Sequence, residues 1–487
     1  MFSRLDPDLN RNRRWYLGLF LALFFAGSMG RAWTRPFWYD ELFTLVLGGL
    51  PSVGDLWTAL ASGMEQNPPL YLLVNRAVGS LAGQGHIAMR LLSMAGVAVF
   101  LLSLYSFVRR TGGETAGWVA LLTASFTETF GYAWEARPYG FLLGFCGLSL
   151  VCWQRAARAG MTLSLAAAAS SHFYAALLWI PLSVGEIVRW RKSGRFDRGV
   201  WLSMAAGAAP LALFLPLMRG AGSYSAAFWA APSPLSLLTF WEYLLAPLAL
   251  PLVAALLVAA LSSARDAGTQ PPPVWETAAA AAFCAVPAAA LILALTLTNA
   301  YSDRYALPAA AGVALLIAFV SSRLRVAGAL FVALFSLFVL RQLGSAMLLF
   351  TAPPDPVQAH RLLDRPDLPV AVANGVLYLQ LAWYAPPELG ARLHYLADPE
   401  AARLHTGSDS VDRALTELRR WRKLNITDRA AFLARHDRFL VYLSEDGADG
   451  ARFQWLPDRL RHDKVVLTVV ARDRGRMLLE AQSADGR

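Results

Sequence analysis

The chain is a succession of apolar runs, most of them close to the roughly 20 residues that a helix needs to cross a hydrocarbon core. Short loops carrying arginine join them. A backbone in lipid has no water to bond to, so runs of this kind fold as helices that close their own hydrogen bonds. Composition leaves little room for another reading. The 487 residues are 56% hydrophobic and only 16% charged, with mean hydropathy +0.41, where soluble domains are about 25% charged. Spans are predicted near 15–33, 87–108, 114–132, 138–154, 160–174, 175–190, 200–218, 240–261, 275–298, 306–322 and 327–349. The expected fold class is an α-helical polytopic membrane protein of about eleven transmembrane helices with a small C-terminal soluble α/β domain.

The basic residues test that order. With the N-terminus inside, Arg11 to Arg14, Arg109-Arg110, Arg155 with Arg158, Arg189 to Arg198, Arg265, and Arg323 with Arg325 all fall on the cytoplasmic side, as the positive-inside rule requires. The net charge of +10 is therefore a topology signal and not a nucleic-acid signal. The first apolar run is long and no small-x-small site follows it, so an uncleaved first span is expected. Cys146, Cys152 and Cys284 lie in apolar runs without metal-ligand spacing and read as structural.

This topology puts the whole of 34–86 outside, although 69–82 is apolar. That run is short for a span and opens with Pro68-Pro69, which reads as a juxtamembrane or re-entrant helix. Were it a span, Arg109-Arg110 would end up outside. The outer face then collects Asp40, Glu41, Glu65, Asn67, Glu135, Arg137, Tyr139, His172, Tyr174, the loop 219–240 and Tyr301-Ser302-Asp303-Arg304-Tyr305. Most polar residues of the membrane half that topology does not explain thus gather on one side. After Phe350 the composition becomes charged and mixed, with Pro353-Pro354-Asp355-Pro356 as a linker. Strands are expected at Val370 to Ala373, Phe439 to Leu443 and Val465 to Ala471, with helical stretches at 376–383 and 409–421. The expected organisation is a membrane domain over 1–350, including the outer loop 34–86, and an outer soluble domain over 351–487.

Several of these residues suit chemistry. Adjacent carboxylates such as Asp40-Glu41 at a membrane surface are costly unless solvated, paired or used. One can serve as a general base or bind a divalent cation, and the pair can equally complete the dipole of a helix starting near Leu42. Glu65 can join a base or metal constellation, or stand as an exposed acid near a turn. Arg137 offers a planar fork for phosphate, or pairs with Glu135. His172 sits at an outer turn, where a lone histidine is most often a satisfied interface residue. Arg304 can supply a second cation for a phosphodiester, or form a rim pair with Asp303.

Five runs together resemble the GT-C superfamily of integral-membrane glycosyltransferases: Trp38-Tyr39-Asp40-Glu41, Asn67-Pro68-Pro69-Leu70-Tyr71, Glu135-Ala136-Arg137-Pro138-Tyr139, Ser171-His172-Phe173-Tyr174 and Asp303-Arg304-Tyr305-Ala306-Leu307-Pro308. The resemblance covers about residues 10–350. Its nearest branch is the bacterial one that includes protein O-mannosyltransferases and the lipid A aminoarabinose transferase. It implies an inverting transfer of a sugar from a polyprenyl-phosphate donor to an envelope acceptor, a glycan, glycolipid or protein, at the outer face of the bacterial inner membrane. It implies Asp40 as the acidic-motif catalytic residue that deprotonates the acceptor or supports its positioning, Glu41 as orienting it or binding acceptor, and Arg137 and Arg304 on the donor phosphate with Tyr139 and His172 lining its pocket. Glu65, Asn67, Tyr71, Glu135 and Asp303 would line the acceptor and sugar pocket. The resemblance implies no obligatory cofactor; members with a divalent metal would use Glu65, and in relatives a histidine often stands where this chain has Asn67. Two other classes compete. A lipid-linked-sugar transporter or flippase would place polar groups near the midplane and show repeat symmetry, and neither is seen. A non-catalytic scaffold would bind the donor without turnover.

The topology has a direct check. Cysteines introduced as Ser62→Cys and Gly83→Cys are expected to react with an impermeant thiol reagent added to the outside of intact cells. Protection of either would mean that 69–82 crosses the membrane.

Overall fold

The computed structural model describes residues 5–261, 271–353, 367–445, 451–473 and 475–482. Part of the expected linker, Pro354 to Pro356, and the basic loop at Arg265 lie outside the described residues. The chain forms two compact units. The first holds Met1–Arg35, Asn67–Leu215 and Pro232–Ala352; the second holds Pro36–Gln66, Pro216–Ala231 and Pro353–Arg487.

The first unit is helical over most of each expected span. Among the described residues, four helices are long and apolar enough to cross a membrane, and two bent helix pairs also qualify if each is taken as one span. One of the four, His86–Ser125, is two helices. At Gly113 φ is 86°, a left-handed conformation that glycine adopts without steric cost, and the chain folds back there. The rings of Tyr105 and Trp118 lie 5.4 Å apart, where a straight helix would separate the two residues by about 20 Å. The expected spans 87–108 and 114–132 are therefore a folded-back pair. The second of them stops at Ser125, short of 132, and a 3₁₀ run Glu128–Trp134 follows. The hydroxyls of Ser125 and Thr127 donate to the carbonyls of Leu121 and Ala124, a local alternative that draws the chain out of a regular helix.

Proline explains the other interruptions. The expected span 200–218 is broken into Arg198–Gly207, Ala209–Leu213 and Leu215–Gly222, with Pro210 and Pro216 each removing a backbone donor. The span 275–298 bends by 44° between Val274–Cys284 and Val286–Thr298, where Pro287 does the same. The apolar run after Pro68-Pro69 is the 13-residue helix Leu70–Ala82, ended by Gly83 at φ 76°. That is about 20 Å of helix, too short to cross a roughly 30 Å core.

Small residues let two of the helices approach closely. A Cβ added to Gly96 would sit 2.2 Å from the carbonyl oxygen of Gly140, and one added to Gly140 would sit 2.6 Å from that of Ser93. Gly144 lies against Gly96 in the same way. Helices in lipid associate through such small-residue contacts because tails outside and side chains inside are equally apolar. This packing fixes the start of Tyr139–Gln154, and with it Arg137 and Tyr139.

The second unit is built on a six-stranded sheet of order β3-β2-β1-β4-β6-β5. Its strands are β1 Val370–Val372, β2 Leu393–Ala397, β3 Ile426–Asp428, β4 Arg438–Ser444, β5 Val466–Asp473 and β6 Arg476–Gln482. β3, β2, β1 and β4 run parallel, and β6 and β5 add an antiparallel hairpin at the β4 edge. The expected strands correspond to β1, β4 and β5, and the expected helices to Gly375–Tyr384 and Ser410–Leu418. In addition β2, β3 and β6 join the sheet. The segment 216–231 packs on this domain: Ser408 Oγ donates to the Ala227 carbonyl at 2.8 Å, Arg413 donates to the Ser223 carbonyl at 2.8 Å, and its guanidinium lies 4.0 Å over the Tyr224 ring.

Gly96→Ala is expected to lower the stability of the detergent-solubilised protein by about 1–3 kcal/mol, the usual cost of overpacking. Gly18→Ala, whose Cβ would meet nothing within 4 Å, serves as the neutral comparison in the same thermal unfolding experiment.

Candidate active site

In the first unit, the helix starting at Tyr139 places two of the expected residues. Arg137 precedes Pro138, a position that excludes helical backbone, so it stands just before the helix with its N–H on the Glu135 carbonyl at 2.8 Å. Its own carbonyl accepts from Ser93 Oγ at 3.0 Å, and Ser93 Oγ lies 3.0 Å from the Tyr71 hydroxyl. Tyr71, on the short helix Leu70–Ala82, thus braces the arginine backbone. Glu135 pairs with Arg35 at 3.2 Å. Asn67 is buried at the start of this unit.

Around Arg137 and Tyr139 the structure assembles an aromatic basin. Tyr139 lies 5.1 Å from Tyr132 and 5.5 Å from His172, His172 lies 5.4 Å from Tyr305, and Tyr305 stacks on Tyr174 at 4.4 Å. The guanidinium of Arg304 sits 5.9 Å over the Tyr139 ring. His172 occupies the turn between Arg158–Ser171 and the 3₁₀ run Phe173–Leu178. Burial first, then the positive charges of Arg137 and Arg304, push its pKa down to about 3. The ring is therefore neutral at physiological pH. Its Nδ1 accepts the Tyr174 N–H at 3.1 Å, which leaves the proton on Nε2 as a donor. Asp303 has its pKa raised by burial, opposed by its neighbour Arg304. Two cations, a neutral histidine donor and a rim of tyrosines form a basin suited to a single phosphodiester.

In the second unit, the acidic pair begins the helix Tyr39–Gly48. Glu41 is fully buried, and its carboxylate accepts the Trp38 N–H at 3.2 Å. That is the role of an acid at the third helical position, closing the first turn and complementing the helix dipole. Asp40 beside it is half-buried, and its carbonyl accepts from Thr44 Oγ at 3.3 Å. Tyr39 has its pKa raised well above the ordinary value by burial and by negative charges, of which Asp40 is the first. Glu65 is buried and accepts the Gln66 N–H at 3.0 Å. Among the described residues no three His, Cys, Asp or Glu side chains gather as a metal-ligand set.

The expected residues thus fall into two sets. Arg137, Tyr139, His172, Arg304 and Asp303 lie in the first unit with Glu135, Asn67 and Tyr71; Asp40, Glu41 and Glu65 lie in the second. Sequence reasoning passed over Arg90, which is fully buried and donates to the carbonyls of Ala32 and Arg35 at 2.7 Å each, capping the helix Arg13–Thr34. Its signal was present: an arginine inside an expected span is costly and marks a specific partner. Ser93 left no such signal, because a serine in an apolar run is unremarkable until its neighbour is known.

No family model and no curated protein matches this chain. Solved structures do. The chain is similar to ArnT from Cupriavidus metallidurans in the apo state, at 14% identity and TM-score 0.54 over 96% of this chain and 98% of that one. It is similar to the same protein bound to undecaprenyl phosphate, at 13% identity and TM-score 0.53 over the same shares. The chain thus shares the fold of that protein, the helical polytopic architecture with a small C-terminal sheet domain expected from the sequence.

Arg137→Ala and Arg304→Ala are each expected to weaken binding of an amphiphilic phosphodiester to the purified protein by about 1.5–3 kcal/mol, the worth of a charged hydrogen bond. Lysine at either position should restore part of the affinity, since it carries the charge without the fork. Unchanged affinity in both alanine variants would remove the basin from anion binding.

Proposed function

We propose that the protein is an inverting glycosyltransferase that moves a sugar from a polyprenyl-phosphate donor to a hydroxyl of an envelope acceptor at the outer face of the inner membrane. The observation that carries this reading is the placing of two arginines at one aromatic basin: the Arg304 guanidinium lies 5.9 Å over the Tyr139 ring, Tyr139 lies 5.5 Å from His172, and Arg137 stands two residues before Tyr139. Two fixed positive charges beside an uncharged donor make a site for a monoanion. The similarity to a protein solved with undecaprenyl phosphate supports a polyprenyl chain on that anion.

The chemistry follows from the side chains. Asp40 accepts the proton of the acceptor hydroxyl as its oxygen attacks the anomeric carbon. A new carbon–oxygen bond forms as the bond between that carbon and the phosphate oxygen breaks, and the electron pair leaves with polyprenyl phosphate. The charge developing on the leaving oxygen is met by Arg137, Arg304 and the Nε2–H of His172, preorganised groups of the kind that contribute most to such steps. A single in-line displacement inverts the centre. Glu41, committed to the Trp38 N–H, holds the helix start that presents Asp40.

Asp40→Asn keeps the shape of the side chain and loses the basic oxygen. Turnover of an undecaprenyl-phosphate sugar is expected to fall by about 10²–10⁴, the usual contribution of a positioned base, while undecaprenyl phosphate affinity is retained. Normal turnover by this variant with a dead Glu41→Gln would exchange the two roles. Activity in both would move the base to Glu65 or Glu135. Donor bound and carried across vesicles without sugar transfer would favour a flippase.

A further inference from the structure

The segment that leads into the acidic pair is held by side chains far away in the sequence. The N–H of Phe37 donates to the Tyr384 hydroxyl at 2.8 Å, and the carbonyl of Phe37 accepts from Gln380 Nε2 at 3.2 Å. Gln380 and Tyr384 are four residues apart on the helix Gly375–Tyr384, so they project from one face of it. Together they occupy both hydrogen-bonding groups of one residue, much as a neighbouring strand would. The Phe37 side chain is itself buried, 2% exposed. Trp38 follows at once, and its N–H is the one that Glu41 closes. The grip on Phe37 therefore holds the chain one residue before the Trp38 N–H that Glu41 accepts, at the entry to Tyr39–Gly48.

The sheet explains why this helix is rigid enough to act as a clamp. Gly375–Tyr384 is the crossover from β1 to β2 in the parallel part of the sheet. Its first turn is closed by Asn374, whose Oδ1 accepts the N–H groups of Val376 and Leu377 at 2.9 and 3.4 Å. Gly375 is a position where a Cβ would meet Val411, Leu415 and Tyr395 within 3.1 Å. The helix is thus locked at its start by packing and delivers Gln380 and Tyr384 from its far end.

We infer that Gln380 and Tyr384 are positioning residues for glycosyl transfer, the part of the C-terminal domain that sets where Asp40 points. This rests on the reading of Asp40 as the base. It gives that domain a role in the chemical step in addition to any role in acceptor binding. A base displaced by about 1 Å loses up to about 100-fold in rate, so two bonds to the backbone three residues away are sufficient to matter.

The test uses Tyr384→Phe, which removes the accepting oxygen and keeps the ring, and Gln380→Glu, which removes the donor and keeps the shape. Both are compared with wild type and with Asp40→Asn in the full-length protein in nanodiscs. The probes are undecaprenyl phosphate for binding and undecaprenyl phosphate carrying a labelled hexose or aminopentose, with cell-envelope extract as acceptor, for turnover. In each variant kcat should fall by about 10- to 100-fold, with undecaprenyl phosphate affinity and melting temperature as in wild type. The Phe37 amide in Tyr384→Phe should exchange with deuterium roughly five- to tenfold faster, as expected for one lost hydrogen bond. Added to Asp40→Asn, neither substitution should reduce turnover further, because both act through that carboxylate. Wild-type kcat in the face of faster Phe37 exchange would overturn the inference and leave the base intact. So would a loss that is as large in the Asp40→Asn background as in wild type. Full activity in Asp40→Asn alone would remove the base, and the inference with it.

Discussion

Charge has almost no place inside a lipid-spanning helix, and the layout of this chain follows from that cost. An apolar helix can close its own backbone bonds, but a carboxylate or guanidinium in its middle needs a partner. The groups suited to anion binding are therefore found where helices begin and end. Arg137 stands before a proline-started helix, His172 in a turn and Arg304 in a one-turn 3₁₀ segment. Arginines inside expected spans obey the same rule: the fully buried Arg90 spends its donors on carbonyls at the end of a neighbouring helix, and Arg341 donates to the Ser125 carbonyl at 2.9 Å.

The two sets of residues differ in their chemistry. The first unit contributes fixed positive charge and a histidine kept neutral by burial and by those charges, which suits holding a phosphodiester and accepting the charge of its departure. The second contributes carboxylates with distinct assignments. Glu41 is consumed by the helix start, while Asp40, one residue away, is half-buried. Adjacent acids thus take different parts because one falls at the third helical position and the other does not.

Much of this was legible in the sequence. Hydropathy gave the positions of the helices in the membrane half, and the arginine-bearing loops gave an order for them. The acidic pair, Arg137 and Arg304 stood out because each is expensive where it lies. What could not be read was of two kinds. Breaks at Pro210 and Pro287 depend on how a helix relieves a missing donor, which composition does not encode. Partnerships across long stretches of sequence, such as Tyr71 and Ser93 with the Arg137 carbonyl or Gln380 and Tyr384 with Phe37, join residues that are ordinary one at a time. The short strands β2 and β3 escaped for a related reason: Leu393–Ala397 and Ile426–Asp428 are held mainly by their neighbours in the sheet, and five or three residues carry little periodicity of their own.

The central claim is a single displacement at the anomeric carbon of a polyprenyl-phosphate sugar, and the stereochemistry of the product tests it most directly. Purified protein in nanodiscs, given an undecaprenyl-phosphate sugar of known anomeric configuration and an acceptor extract, should release undecaprenyl phosphate and yield a glycoside whose anomeric proton and carbon signals show the opposite configuration. A product of retained configuration would contradict the account, as would binding of the donor with no release of undecaprenyl phosphate.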